Sequence, residues 1–310
     1  VDQDIVVTGN ISVDDANLLD ATTEGVVTAS IATDSRVESL KTLTGTNNAY
    51  TIVISSADAT ATAGDLLVID GATTGTINAG EVTAISGSFN QITELYGLVG
   101  VTGLGNENIT STENLTIAAA NVFDATTEGV VTASITTDST LESLKTLTGT
   151  NNAYTIVVPA EDAAVSASDL NALNALTTVA VDLTNVTSIT SSNLVDLGTL
   201  STAIGLDQFS NDIGITTIAV SDTTIDATTL ASTIDAYDSI NLSSTTDMTL
   251  ASGATINVAA GEVTHMLLDE TQNRLEIVDQ DIVVTGNISV DVANLLDATT
   301  EGVVTASIAT

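Results

Sequence analysis

Several ordinary ingredients are missing or scarce in this sequence of 310 residues. There is no cysteine, no tryptophan and a single proline, Pro159; aromatics make up 2% of the chain, and Lys and Arg together number 4. Without cysteine there are no disulfides, no thiolate metal sites and no cysteine nucleophile. So few aromatics argue against a thick globular core, because Phe, Tyr and Trp supply much of the buried area in one. Four basic residues cannot neutralise a phosphate backbone, which excludes nucleic acid as a partner, and they argue equally against docking on an anionic membrane. No run of about 18 apolar residues is present, so no membrane insertion is expected. No signal peptide is visible, and the chain does not begin with Met.

What is present is acid and aliphatic carbon. Asp and Glu total 40, for a formal net charge of −36, yet the apolar fraction is 43% and mean hydropathy is +0.36. That hydropathy argues against disorder despite the charge. A thin interior of Val, Ile, Leu and Ala is the expectation.

Internal repetition sets the organisation. Residues 1–33 recur as 278–310 with one difference, Asp15 against Val292, so 1–277 reads as one tandem period and 278–310 as the start of the next. The chain thus begins and ends in mid-pattern, as expected of a window on a longer array with no separate globular domains. Inside the period, 16–54 recurs as 120–158. A shorter rhythm places apolar residues three apart, as in Val37/Leu40/Leu43, Ile92/Leu95/Leu98 and Leu194/Leu197/Leu200, the spacing of short helices with one buried face. Ser35 with Glu38 and Ser139 with Glu142 have capping-box spacing.

One central apolar residue per helical segment gives Leu19, Leu40, Leu67, Leu95, Val122, Leu144, Leu173, Leu197, Leu230, Met266 and Leu296. The last repeats the first, so ten segments of about 28 residues fill the period. Between them lie β-rich runs at 26–31, 50–54, 154–158, 215–220 and 282–284. Units of this size cannot bury their own apolar face and must stack. The expected fold is therefore a β-rich α/β repeat solenoid of about ten stacked coils, each a short parallel strand plus a short helix or turn. The alternating stretch from Ile240 to Glu262 leaves an all-β solenoid as the alternative. Helices pack about 8–10 Å apart and strands about 4.8 Å, so a helix in every coil requires curvature, stagger or shortened helices.

Candidate chemistry is sparse. Asp2 and Asp4, with their copies Asp279 and Asp281, form D-x-D pairs whose carboxylates share one face of a strand, a pattern suited to Ca²⁺. No other cofactor is expected. His265, the only histidine, has no partner set nearby in sequence and reads as structural. Thr22–Thr23, Thr126–Thr127 and Thr177–Thr178 are candidates for a flat hydroxyl face that binds ice or glycans. Sequons at Asn10, Asn108, Asn114, Asn185, Asn241 and Asn287 offer surface glycan sites. Gly25, Gly45, Gly129 and Gly149 recur with the repeat and read as turns.

The phrases A-S-D-L-N-A-L-N-A-L-T-T (167–178) and D-A-T-T-E-G-V-V-T-A-S (20–30) resemble repeats of giant secreted cell-surface and filament proteins of marine cyanobacteria and other marine bacteria. The likeness spans most of the chain in degenerate form; Glu24 and Glu128 depart from it inside the T-T-G step. It implies a very long, non-enzymatic structural protein outside the cell or at its surface: a fibre, sheath, surface layer or giant adhesin. Its partners would be copies of itself or neighbouring repeats, with a ligand-binding solenoid (ice, glycan or calcium) as the alternative.

Overall fold

The computed structural model describes residues 2–240 and 247–309. The chain divides into two compact units, 1–136 with 147–154 and 137–146 with 155–310. The division falls within the second copy of the internal repeat.

The first unit runs β1 (Ile5–Ile11), α1 (Val13–Asp20), β2 (Val27–Ile31), α2 (Val37–Leu40), β3 (Ala49–Val53), β4 (Thr60–Thr62), α3 (Ala63–Gly71), β5 (Ile77–Asn78), β6 (Ala84–Gly87), α4 (Phe89–Gly97), β7 (Val101–Thr102), β8 (Asn108–Ser111), α5 (Ile117–Thr126) and β9 (Val131–Ser134). Its strands form two parallel ladders, β1-β2-β3-β5-β7 and β4-β6-β8-β9. The second unit holds α6 (Leu141–Leu144) and, after β10 (Ala153–Thr155), β11 (Ala164–Val165), α7 (Ala167–Asn174), β12 (Val181–Asp182), β13 (Ser188–Ser192), α8 (Leu194–Gly205), β14 (Phe209–Ser210), β15 (Thr217–Val220), β16 (Thr224–Asp226) and α9 (Ala227–Ser239). It continues with β17 (Asp247–Leu250), β18 (Thr255–Ala259), α10 (Val263–Thr271), β19 (Leu275–Glu276), β20 (Asp281–Ile288), α11 (Val290–Thr299) and β21 (Val304–Ile308). Its ladders are β11-β13-β15-β17-β19, β12-β14 and β16-β18-β20-β21, again all parallel.

The architecture is thus mixed α/β with several parallel sheets, eleven α-helices and no closed barrel among the described residues. Each of the eleven central apolar residues falls in its own helix, from Leu19 in α1 to Leu296 in α11. The all-β alternative holds only locally: 247–262 carries two strands and no helix, and residues 241–246 of that stretch lie outside the described ones. One expectation needs correcting. Many segments contribute to two ladders, not one; between α2 and α3, for example, the chain supplies both β3 and β4. A single 3-10 turn, Ser56–Asp58, separates these two strands, and strands of two to four residues leave little periodicity to read.

The helices form because a three-residue apolar spacing meets a capped start. Side chains of Ser12, Thr62, Ser88, Thr116, Thr140, Ser166, Asn193, Asp226 and Ser289 each accept the N–H three residues on. The two expected capping boxes do not form. Arg36 precedes α2 without a side-chain cap, and Thr140 takes the place of Ser139 at α6; the box that does form is Ser88 with Gln91. The first N–H of α2, α4, α6 and α8 is capped by an acidic side chain of the following segment. Asp58 accepts from Val37 N–H at 2.9 Å, Glu113 from Phe89 at 2.8 Å, Asp162 from Leu141 at 2.9 Å and Asp222 from Leu194 at 2.8 Å. Negative charge at a helix N-terminus is favourable, so part of the acid load is structural.

The core is Val, Ile, Leu and Ala, but five of the seven aromatics are placed inside it: Tyr50, Tyr154 and Phe123 are fully buried, and Tyr237 and Phe209 nearly so. Phe123 stacks on Phe89 at 5.5 Å.

Candidate functional site

The most repeated construction in the molecule is the junction between successive segments, built on a threonine two residues before a glycine, T-x-G. The hydroxyl of Thr73 donates to the Tyr50 carbonyl at 2.9 Å and accepts from Tyr50 N–H at 2.8 Å and Gly75 N–H at 2.9 Å. Thr23 does the same with the Gln3 carbonyl at 2.5 Å and Gly25 N–H at 2.9 Å. Thr127 pairs with the Glu107 carbonyl at 2.6 Å and Gly129 N–H at 2.9 Å, and Thr300 with the Gln280 carbonyl at 2.6 Å and Gly302 N–H at 2.9 Å. One hydroxyl therefore ties together two strand starts some 20 residues apart. The glycine is required by close approach. A Cβ on Gly25, Gly75, Gly129 or Gly302 would lie 2.1–2.5 Å from the preceding segment's backbone. At Thr177 the motif reads T-T-V, and Val179 N–H still donates to its hydroxyl at 3.2 Å.

Of the candidate threonines, Thr127 and Thr177 point inward, Thr23 and Thr126 are half-buried, and Thr22 and Thr178 are exposed. Thr73, Thr127, Thr177 and Thr300 are buried, because a strand start leaves backbone groups that an inward hydroxyl satisfies. A separate outward column does exist, where register aligns Thr62, Ser86, Thr110 and Thr132. It is one residue wide, since the neighbouring column reads Thr60, Ala84 and Asn108.

A second junction accompanies the first. Asn48, buried, accepts from Val27 N–H at 2.9 Å and donates to Asp20 at 2.8 Å; Asn152 repeats this with Val131 at 2.8 Å and Asp124 at 2.7 Å. Gly45 and Gly149, at φ +79° and +81°, pass so close to these pairs that a Cβ would meet the Asp and Asn side chains at 2.4 Å or less. Neither junction was legible as a site in sequence, where Gly25, Gly45, Gly129 and Gly149 read as turns.

The D-x-D carboxylates act within the same scheme. Asp4 accepts from Val26 N–H at 2.9 Å and Asp281 from Val303 N–H at 2.8 Å, the place taken in the internal repeat by Asn108 with Val130 at 2.9 Å. Asp279 accepts from Ser252 Oγ at 2.5 Å and Gly253 N–H at 3.2 Å, and these donors hold its carboxyl below the usual range. Asp2 is exposed. Among the described residues, no group of three or more His, Cys, Asp or Glu side chains is placed to hold a metal ion.

Each of the four basic residues sits in ion pairs within the chain. Arg36 meets Asp58 at 2.8 Å; Lys41 bridges Glu38 and Asp65, both at 2.9 Å; Lys145 bridges Glu142 and, at 2.8 Å, Asp169. Arg274 gathers Asp235 at 2.6 Å, Asp238 at 2.7 Å and buried Asp269 at 3.1 Å. Burial pushes the Asp269 carboxyl up, against the pull of Arg274 and of half-buried His265. Of the sequons, Asn10, Asn114 and Asn287 are exposed, Asn185 donates to the Val158 carbonyl at 2.8 Å, and Asn241 lies outside the described residues. An open groove of about 430 Å³ beside α7 and α8 is lined by Asn171, Val195, Gly198, Thr199, Thr202 and Leu206, with no titratable side chain. No helix among the described residues is long and apolar enough to cross a membrane.

Comparison with protein-family models, with curated proteins and with solved structures finds no match for this chain.

Proposed function

We propose that this chain is a structural module of a very long extracellular fibre, sheath, surface layer or giant adhesin, without catalytic activity. Successive periods of about ten strand–helix coils stack end to end as a solenoid. The observation that carries this reading is the behaviour of the duplicated 33-residue sequence. In its first copy, Val13 and Ile31 are buried while Ile5, Val7 and Leu19 are only half-buried; in its second, the equivalents Ile282, Val284 and Leu296 are buried while Val290 and Ile308 are exposed. Each copy thus completes the opposite face, as identical modules in a continuous stack must. The parallel ladders, the recurrent T-x-G junction and the engagement of every basic side chain within the chain all suit an inert, acidic structural module.

Chains of one, two and three periods test this. Ten coils at about 4.8 Å predict about 48 Å of added length per period, measured by electron microscopy or small-angle scattering. An increment near 90 Å would mean that helix packing sets the rise. Periods that collapse into separate globules, with no regular increment, refute the proposal.

A further inference from the structure

The duplication also serves as an internal control for what each surface requires. Val13 is 3% exposed and Ile31 2%, whereas the same positions in the second copy, Val290 and Ile308, are 57% and 42% exposed. Val27 and Ala29 are buried; Val304 and Ala306 are only half-buried. The first copy owes its burial to the segment after it. There β3 adds to β2 in the register Thr28–Ala49, Ala29–Tyr50 and Ser30–Thr51.

The loop leading into β3 is seated on α1 by specific polar contacts. Asn17 donates to the Thr42 carbonyl at 2.8 Å and accepts from Thr44 N–H at 2.9 Å. Asp20 accepts from Thr44 Oγ1 at 2.7 Å and from Asn48 Nδ2 at 2.8 Å. Tyr50 reaches back to the Ala16 carbonyl at 3.4 Å. The internal repeat does the same with an identical segment: Thr148 N–H donates to Asn121 at 2.9 Å, Asn152 to Asp124 at 2.7 Å and Tyr154 to the Ala120 carbonyl at 3.5 Å.

A third version of the receiving half is formed by α11 and β21. Its Asn294 and Asp297, equivalent to Asn17 and Asp20, are exposed, and β21 is the last strand of its ladder. We infer that this surface is a docking site for a segment of the type L-T-G-T-N-N-A-Y-T-I-V, the sequence shared by residues 43–53 and 147–157. The occupant is that segment from a further period of the same sequence. The inference deepens the array reading and rests on it. Selectivity comes from the glycine: the left-handed residue equivalent to Gly45 leaves no room for a Cβ beside the Asp and Asn, so an unrelated strand does not seat there. An unpaired parallel edge backed by half-exposed Val and Ile is otherwise an invitation to unspecific pairing.

The test compares this chain with one extended at its C-terminus by a second copy of residues 34–157. Amide hydrogen exchange over 304–308 is expected to slow about a hundredfold in the extended chain, the change from a fraying edge to a cooperative element. Asn294→Ala with Asp297→Ala in the extended chain should reverse most of that slowing and leave 27–31 protected, which also shows that the variant is folded. Unchanged exchange at 304–308 after extension overturns the inference. So does equal slowing in the unextended chain as its concentration is raised, because the occupant would then be another molecule's end. Fibre formation is scored separately by electron microscopy. Slowed exchange without fibres leaves the docking site and removes the array function; fibres without slowed exchange do the reverse.

Discussion

Replacing Thr73 by valine keeps the shape of the side chain and removes one oxygen. That oxygen accepts from Tyr50 N–H and Gly75 N–H and donates to the Tyr50 carbonyl, and the residue is 7% exposed. The substitution leaves two backbone donors without their acceptor inside a strand junction. A buried donor left unsatisfied costs about 1–3 kcal/mol. The two share one site and relax together, so the expected loss is about 2–4 kcal/mol rather than the full sum. Thr73→Ser keeps the oxygen and loses a methyl group, for an expected cost of about 1 kcal/mol. The same junction can be probed from the other strand. Gly75→Ala drives a Cβ to 2.1 Å from the Tyr50 carbonyl oxygen, so the two strand starts must separate, at about 3 kcal/mol or more. Gly198→Ala is the control. It lies within α8 with nothing inside 4 Å of the new methyl, and should gain about 1 kcal/mol in helix propensity. Urea unfolding followed by circular dichroism reads all four, with exchange at Tyr50 and Gly75 to localise the effect should repeats unfold in parts. Thr73→Val within about 0.5 kcal/mol of the parent would refute the idea that this hydroxyl holds successive segments together.

Alkaline pH should unfold the protein through its tyrosines. Burial, with the Asp20 charge adding to it, pushes Tyr50 up to about 12, and burial likewise raises Tyr154 and Tyr237; burial and the Glu107 carboxylate raise Tyr96. A folded pKa above the unfolded value of about 10 means full stability below pH 10, lost as pH rises from there toward 12. Tyrosinate absorbance should therefore appear together with the loss of circular dichroism; ionisation near pH 10 in an intact fold would contradict this. The net charge of −36 makes stability rise with NaCl, because the Debye length shrinks from about 10 Å at 0.1 M to about 3 Å at 1 M. At constant high NaCl, chelation is expected to leave Tm unchanged; a marked fall, abolished by Asp2→Asn with Asp4→Asn, would establish Ca²⁺ as a structural ion.

How many helices form, and where, is set by the sequence alone. Leu40 or Leu197 sits in an apolar triplet spaced for one helical face, and a helix closes its hydrogen bonds locally, so short-range pattern suffices. The tandem period was legible for the same reason, as an identity between stretches that needs no geometry. What Thr73, Asn48 and Asp58 do was decided only by tertiary structure. Each answers a backbone group 20 or more residues away, and which group that is depends on ladder register, on a short turn between two strands and on which segment lies alongside. Asp58 illustrates the limit: in sequence it is one of forty acids on an acidic surface, and in the fold it caps a helix that began 21 residues earlier. The different fates of Val13 and Val290 mark the same boundary. Their local sequences match but for Asp15 and Val292, so only the neighbouring segment separates a core residue from an exposed one.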